Sequence, residues 1–448
     1  MLFKNNYSLK HNIYSIVFAF IVLSFSNVIL AQDTKKYTLI PDVNFELALQ
    51  AYRYDHGEVD GKVLTSDIAR LTELNITNFG ITDLTGLQDF VSLKKLLCNR
   101  NKIGALDLSG NLALTTLSCE ENKLKVLNLS KNQALVHLNC SENKLTSLDL
   151  TGNKELVNLF CEKNQLATVD LSQNAKLTSI AISGNQLENL DISKNTNLDR
   201  LFCGANRLSV LNTNDNIALT VLDCSVNGIR RLDLSQNVNL KNLGCVENEL
   251  ATLDLSQNLR LFNLHCGKNP LTELNLTHNP DLNFLSCTNT QVTNLDLSKN
   301  IVLTRAYLDE NQLNVLDVTQ NCELEFLSCS KNKLESLNIS NAPLVELICH
   351  KNRLVAIDLS QSPLLLSVEC SQNQLVNLDI SKNPKLYALS CQSNSLTSLN
   401  ISNGKNKQLS NFYAYSNPNL KCIQTDKDIV PLYNWRKDDI AGYNTNCN

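Results

Sequence analysis

Leu117-Ser-Cys119-Glu-Glu-Asn122-Lys-Leu124-Lys-Val126 runs directly into Leu127-Asn-Leu129-Ser-Lys-Asn132-Gln-Ala-Leu135-Val-His137, and the pattern restarts at Leu138-Asn-Cys140. The unit is twenty-one residues long and splits into a ten and an eleven. Leu-x-Cys and Leu-x-Leu alternate with a period of two, so each half is expected to supply one short strand with two residues inward and one outward. No helical period survives inside the unit. One turn cannot bury its own apolar face, but stacked turns can, with Leu96, Leu117, Leu138 and Leu159 in one column. The expected fold class is a mainly β repeat solenoid. It is a rod with two short parallel strands per turn, about sixteen turns and roughly 75 Å long at ~4.8 Å per turn.

Three columns follow from the register. Cys98, Cys119, Cys140, Cys161, Cys203, Cys224, Cys245, Cys266, Cys287, Cys329, Cys349, Cys370 and Cys391 share an inward position that Ile182, Leu308 and Ala414 fill elsewhere. Stacked side chains keep their β-carbons near ~4.8 Å, beyond the ~3.5–4.5 Å of a disulfide. A metal would need converging ligands, not a line. The column therefore reads as packing by buried thiols. The second column is asparagine, at 101, 122, 143, 164, 185 and 206 after one strand and 111, 132, 153, 174 and 195 after the other. Asparagine tolerates left-handed backbone and satisfies bend groups with one side chain. The third column faces outward on the second half: Asp107, Asp149, Asp170, Asp191, Asp233, Asp254, Asp296, Asp317, Asp358 and Asp379, with Asn at 128, 212, 275, 338 and 400. Solvent, the neighbouring serines and backbone donors, or a cation such as calcium, must absorb the repulsion. A flat row of single carboxylates makes a poor calcium cage, so no metal site and no cofactor are expected.

Leu114-x-x-Leu117-x-Cys119-x-x-Asn122-x-Leu124 resembles the conserved segment of the leucine-rich-repeat superfamily, and the nested half resembles its bacterial subgroup with twenty-one-residue repeats. Leu71-Thr-Glu-Leu-Asn-Ile-Thr-Asn-Phe-Gly-Ile81-Thr-Asp-Leu-Thr-Gly-Leu87 is similar to an internalin-type repeat. The resemblance implies a secreted or surface protein that binds other macromolecules, without naming the partner. Asp42 to Tyr54 is expected to form a capping helix with Phe45, Leu49 and Tyr52 on one face.

Around the repeats, residues 1–31 read as an export signal. Lys4, Lys10 and His11 precede an apolar run from Ile13 to Leu30, and Ala31 stands before Gln32. The rival is an uncleaved membrane anchor, against which Ser24, Ser26 and Asn27 argue. Removing Lys4 and Lys10 takes the formal charge from −4 to −6, which argues against a nucleic-acid partner. No second apolar span follows, so a soluble exported chain is expected, in the periplasm, at the surface or secreted, with no membrane insertion after cleavage. The divisions are 1–31 signal, 32–92 N-terminal cap with the internalin-like repeat, 93–420 solenoid and 421–448 C-terminal cap. Cys422 and Cys447 lie off the ladder and are expected to form a disulfide. Cys322, in a bend, is expected to be free.

Function is sought where packing gives no reason for the residue. Outward positions on the cysteine strand include Phe160, Phe202, His265, Tyr307 and Ile348, and the residues before the strand leucine include Arg200, Phe284, Arg305 and Phe326. Exposed aromatics with arginine suggest a binding patch. The candidates are Phe284, Arg305, Tyr307, Phe326, His265, Phe202 and Arg200, for a protein or glycan partner. Asp223, Gly244, His265 and Ser286 form a lateral row that mimics a catalytic set. Asp223 and His265 are two turns apart, however, roughly 9–10 Å at the backbone, and no oxyanion hole is evident. No catalytic residue is expected. The alternative to partner binding is an envelope or matrix component that self-assembles.

Overall fold

The computed structural model describes residues 35–427 and 429–447. The expected export signal therefore lies outside the described residues. Among those described, no helix is long and apolar enough to cross a membrane.

A parallel ribbon of seventeen three-residue strands runs along the molecule, one per turn, from Glu73–Asn75 to Asn411–Tyr413. Each strand bonds the turn before and the turn after, in unbroken register: Leu96 pairs with Leu117, and Leu117 with Leu138. The ribbon is open. Glu73–Asn75 pairs only with Lys95–Leu97, and Asn411–Tyr413 pairs with Ala388–Ser390 and, through Tyr413, bridges to Arg436. It begins one turn before the strict repeat, because the internalin-like segment supplies a strand of its own. The strand leucines and the thirteen ladder cysteines form one continuous buried core. Burial disfavours the thiolate and pushes the thiols of Cys98, Cys140, Cys224 and Cys370 up to about 12, with the neighbouring carboxylates of Asp223 and Glu369 adding to it at Cys224 and Cys370.

From Asn101 onward the first bend is held by one asparagine in every turn but one, where Thr290 stands. Asn122 Nδ2 donates to the carbonyls of Cys98, Cys119 and Glu120 at 3.0, 3.0 and 3.2 Å, while its Oδ1 accepts from Ile103 N at 3.1 Å. The left-handed residue is not the asparagine, as its backbone tolerance suggested, but the one before it. Glu121, Glu142 and Val226 have φ of 55°, 53° and 56°. Left-handed backbone costs an ordinary side chain ~1–2 kcal/mol, and the four asparagine bonds hold it there.

The expected second strand is a correction. Among the described residues, only Val315–Asp317 with Ser336–Asn338, and Asn377–Asp379 with Ser398–Asn400 and the C-terminal strands, pair in that half of the turn. Elsewhere the backbone joins successive turns sparsely in this half, as from Lys144 N to Leu124 O at 2.8 Å. The Asp column then turns inward on its own backbone: Asp107 Oδ1 accepts from Ser109 N, and Asp296 Oδ1 from Ser298 N, both at 2.9 Å. The same local turn forms where the second strand does pair, from Thr319 N to Asp317 Oδ1 at 2.8 Å and from Ser381 N to Asp379 Oδ1 at 2.7 Å.

The shortened unit keeps its register because the missing residue comes out of a bend. Asn341 has φ of 70°, Ala342 takes the asparagine position, and Leu344 N bonds Ala342 O at 2.8 Å. Leu327 still pairs with Leu347.

Both ends are covered. A hairpin of Tyr37–Leu39 and Lys62–Leu64 flanks the helix Val43–Ala51. Asp42 caps that helix through Oδ1 and ties it to the first turn by accepting from Thr82 N at 2.8 Å through Oδ2. Phe45 and Leu49 are buried as expected. Tyr52 is not on that face: it follows the helix, is 45% exposed, and packs on Tyr54 and Phe79. At the other end Trp435 packs edge-on against Phe412 and donates to Leu409 O at 2.8 Å. Cys422 and Cys447 are bonded to each other beside the strand pair Cys422–Gln424 and Gly442–Asn444. Cys322 is free and exposed.

Candidate functional site

On a parallel ribbon the outward side chains of successive strands stand ~4.8 Å apart, so residues twenty-one positions apart touch. Four of the aromatic candidates meet instead on the diagonal between neighbouring strands, at separations of 19, 23 and 19 residues. The His265 and Phe284 ring centroids are 4.7 Å apart, Phe284 and Tyr307 5.5 Å, and Tyr307 and Phe326 4.6 Å, with planes tilted by 30–35°. At such distances rings cannot lie side by side; they must turn their faces to one another. The result is a ridge of upright rings across four consecutive strands, with ring edges toward solvent. Mutual contact leaves Phe284, Tyr307 and Phe326 half-buried and His265 exposed. Arg305 is exposed on the strand between Phe284 and Phe326.

The remaining candidates stand apart. Arg200 and Phe202 share the strand Arg200–Phe202, three strands from His265, and Arg200 Nε lies 3.4 Å from Asp199 Oδ2. Phe160 is half-buried two strands further away.

At the His265 end the ridge stops because the next strand presents Gly244. A β-carbon there would stand 2.9 Å from Asp223 Oδ1, so the glycine is what allows the Asp223 carboxylate to lean over this position. That carboxylate accepts Ser225 N at 3.0 Å through Oδ1 and meets no cation at ion-pair distance among the described residues. Asp223, Asn242, Gly244, Asn263 and His265 line an open slot. Partial desolvation of the His265 ring, exposed at its edge, lowers its pKa below the ordinary imidazole value, against the opposing pull of Asp223. The row of Asp223, Gly244, His265 and Ser286 thus has its histidine stacked on Phe284, with the glycine intervening before the carboxylate.

Sequence reasoning missed Phe262, 46% exposed one position before this strand. Its register with Lys241 and Asn283 was the available signal.

The Asp-bearing face is uniform by comparison. Its carboxylates are held below the usual range by the backbone amide and hydroxyl of the following serine, as at Asp107, Asp254 and Asp296. Among the described residues, no group of three or more His, Cys, Asp or Glu side chains is placed to hold a metal ion.

No protein-family model matches the chain, and no curated protein does either. Solved structures do. An internalin, InlF, from Listeria monocytogenes is 20% identical over 68% of this chain and 96% of its own, with a TM-score of 0.61. The plant peptide hormone receptor RGFR1, solved in complex with RGF2, is 21% identical over 72% of this chain and 62% of its own, also at 0.61. These two share the fold. The functional domain of InlJ from Listeria monocytogenes, described as including a cysteine ladder, is 32% identical over 87% of this chain and 82% of its own, with a TM-score of 0.73. Likeness of that extent, in a chain with its own ladder of thirteen buried cysteines, places this protein in the internalin-like leucine-rich-repeat family.

Proposed function

We propose that this chain is an exported, non-catalytic binding protein whose strand face, centred on His265, Phe284, Tyr307 and Phe326, docks a macromolecular partner. One observation carries the reading: four rings stacked across four consecutive strands, at positions where folding needs no ring. Aromatic and arginine side chains with apolar area and few rotatable bonds are the usual energetic centre of an interface. A protein surface suits this ridge better than a glycan. Sugars pack on open ring faces, and here most of the faces are spent on one another. Export rests on the basic, apolar and small-residue order of residues 1–31.

The test is retention of the purified chain on surface preparations, compared with a Phe284→Ser, Tyr307→Ser, Phe326→Ser variant. Retention by the native chain and its loss in a folded variant support the reading. Equal retention of both overturns it. Sedimentation that changes with concentration, in the absence of any other surface, would favour self-assembly instead.

A further inference from the structure

The ridge ends in an asymmetric way that specifies what should continue it. One face of the His265 ring is covered by Phe284; the other looks across Gly244, which has no side chain. Beyond the glycine stands Asp223, its backbone two strand spacings or roughly 9–10 Å from the histidine strand and its carboxylate accepting Ser225 N. Asp223 leans into this gap. The space left suits one planar group, stacked about 3.5 Å from the ring and hydrogen-bonded at about 2.8 Å to the carboxylate. Other acidic groups on this face are already engaged. Asp309 accepts from Ser328 Oγ and Ser330 N, and Asp199 accepts from Thr220 Oγ1 and faces Arg200. The slot therefore pairs an aromatic face with a carboxylate that, among the described residues, accepts from the backbone amide of Ser225 and meets no cation.

We propose that this slot receives an arginine side chain of the partner protein, its guanidinium stacked on His265 and paired with Asp223. The inference rests on the strand face being the binding face. Arginine fits both demands at once, being planar and always charged. A lysine ammonium offers charge without a plane. A His265 ring that stays neutral adds no repulsion.

The experiment follows the histidine side-chain resonances of the purified chain, with His265 assigned by its loss in His265→Gln. The probes are N-acetyl-arginine amide, its lysine counterpart, and the neutral planar citrulline counterpart. The His265 signal should move with arginine, at about tenfold lower concentration than with lysine or citrulline. Asp223→Asn should weaken the arginine response about tenfold. Gly244→Phe, which fills the slot with a ring of the chain itself, should abolish it while the melt is retained. An unmoved His265 signal, equal responses to the three probes, or a full response in Gly244→Phe overturns the proposal. If the ring variant still loses partner retention while arginine leaves His265 unmoved, the slot falls and the binding face stands.

Discussion

Two outward columns ride on the same turns and behave in opposite ways. The second-half column is Asp or Asn on every turn from Asp107 to Asn400, whereas the strand column passes through Asp223, Gly244, His265, Ser286 and Tyr307 within five turns. The uniform column has an internal explanation, since each carboxylate or amide oxygen accepts the backbone amide two residues on, as at Asp254 and Asn275. Nothing inside the fold asks for histidine, tyrosine or phenylalanine on the strand face. Uniform columns therefore report what the solenoid needs, and the irregular one reports what lies outside it.

That contrast can be broken from the interior outward. The largest effect should come from alkali, because the thiol ladder supports both faces. A thiol whose folded pKa is raised stabilises the fold fully below its unfolded value near 9 and loses that contribution as pH climbs toward 12. Each such thiol costs about 1.4 kcal/mol per pH unit in that window. Circular dichroism should show cooperative unfolding above pH 9, moved upward when Cys98, Cys140, Cys224 and Cys370 become alanine. A flat profile to pH 12 would mean that the ladder is not buried.

Next in size is the bend asparagine. Asn248 Nδ2 donates to Cys224 O and Cys245 O at 3.1 Å each, and its Oδ1 accepts from Ile229 N at 3.0 Å. Asn248→Ala should cost about 3 kcal/mol in denaturant melts, from buried groups left unpaired. Tyr307→Ser should cost less, about 1–3 kcal/mol, since it removes two ring contacts from a half-buried side chain. A cost near zero would mean that the ridge is not stacked in solution. Smallest of all, Asp296→Asn should shift stability by under about 0.5 kcal/mol, because the amide oxygen can still accept from Ser298 N. Chelator should likewise leave the melt unchanged, and a large drop reversed by calcium would show that the Asp column holds a cation.

The register was legible because a period of twenty-one with leucine and cysteine at fixed offsets admits one stacking, and the adjacency of Phe284, Tyr307 and Phe326 follows from it. Their half-burial was not legible, since it comes from the rings shielding each other and no pattern of hydrophobicity encodes ring tilt. The second strand was over-read for a related reason. Leu-x-Leu alternation fixes which side chains point inward, but it does not set how many amides reach the next turn. Tyr52 shows the limit of helical spacing, which placed it on the buried face although the helix had already ended at Ala51. Gly244 was weighed only as a gap in a catalytic row, whereas its missing side chain is what leaves a face of His265 open.

The central claim is that the irregular column binds and the uniform one does not. Two variants, each shown to be folded at the assay temperature, test it directly: Phe284→Ser, Tyr307→Ser, Phe326→Ser on the strand face, and Asp233→Asn, Asp254→Asn, Asp296→Asn on the other. Retention on surface preparations should be lost in the first and kept in the second. Loss in the aspartate variant with retention in the ring variant would contradict the account and move the binding face to the other side of the rod.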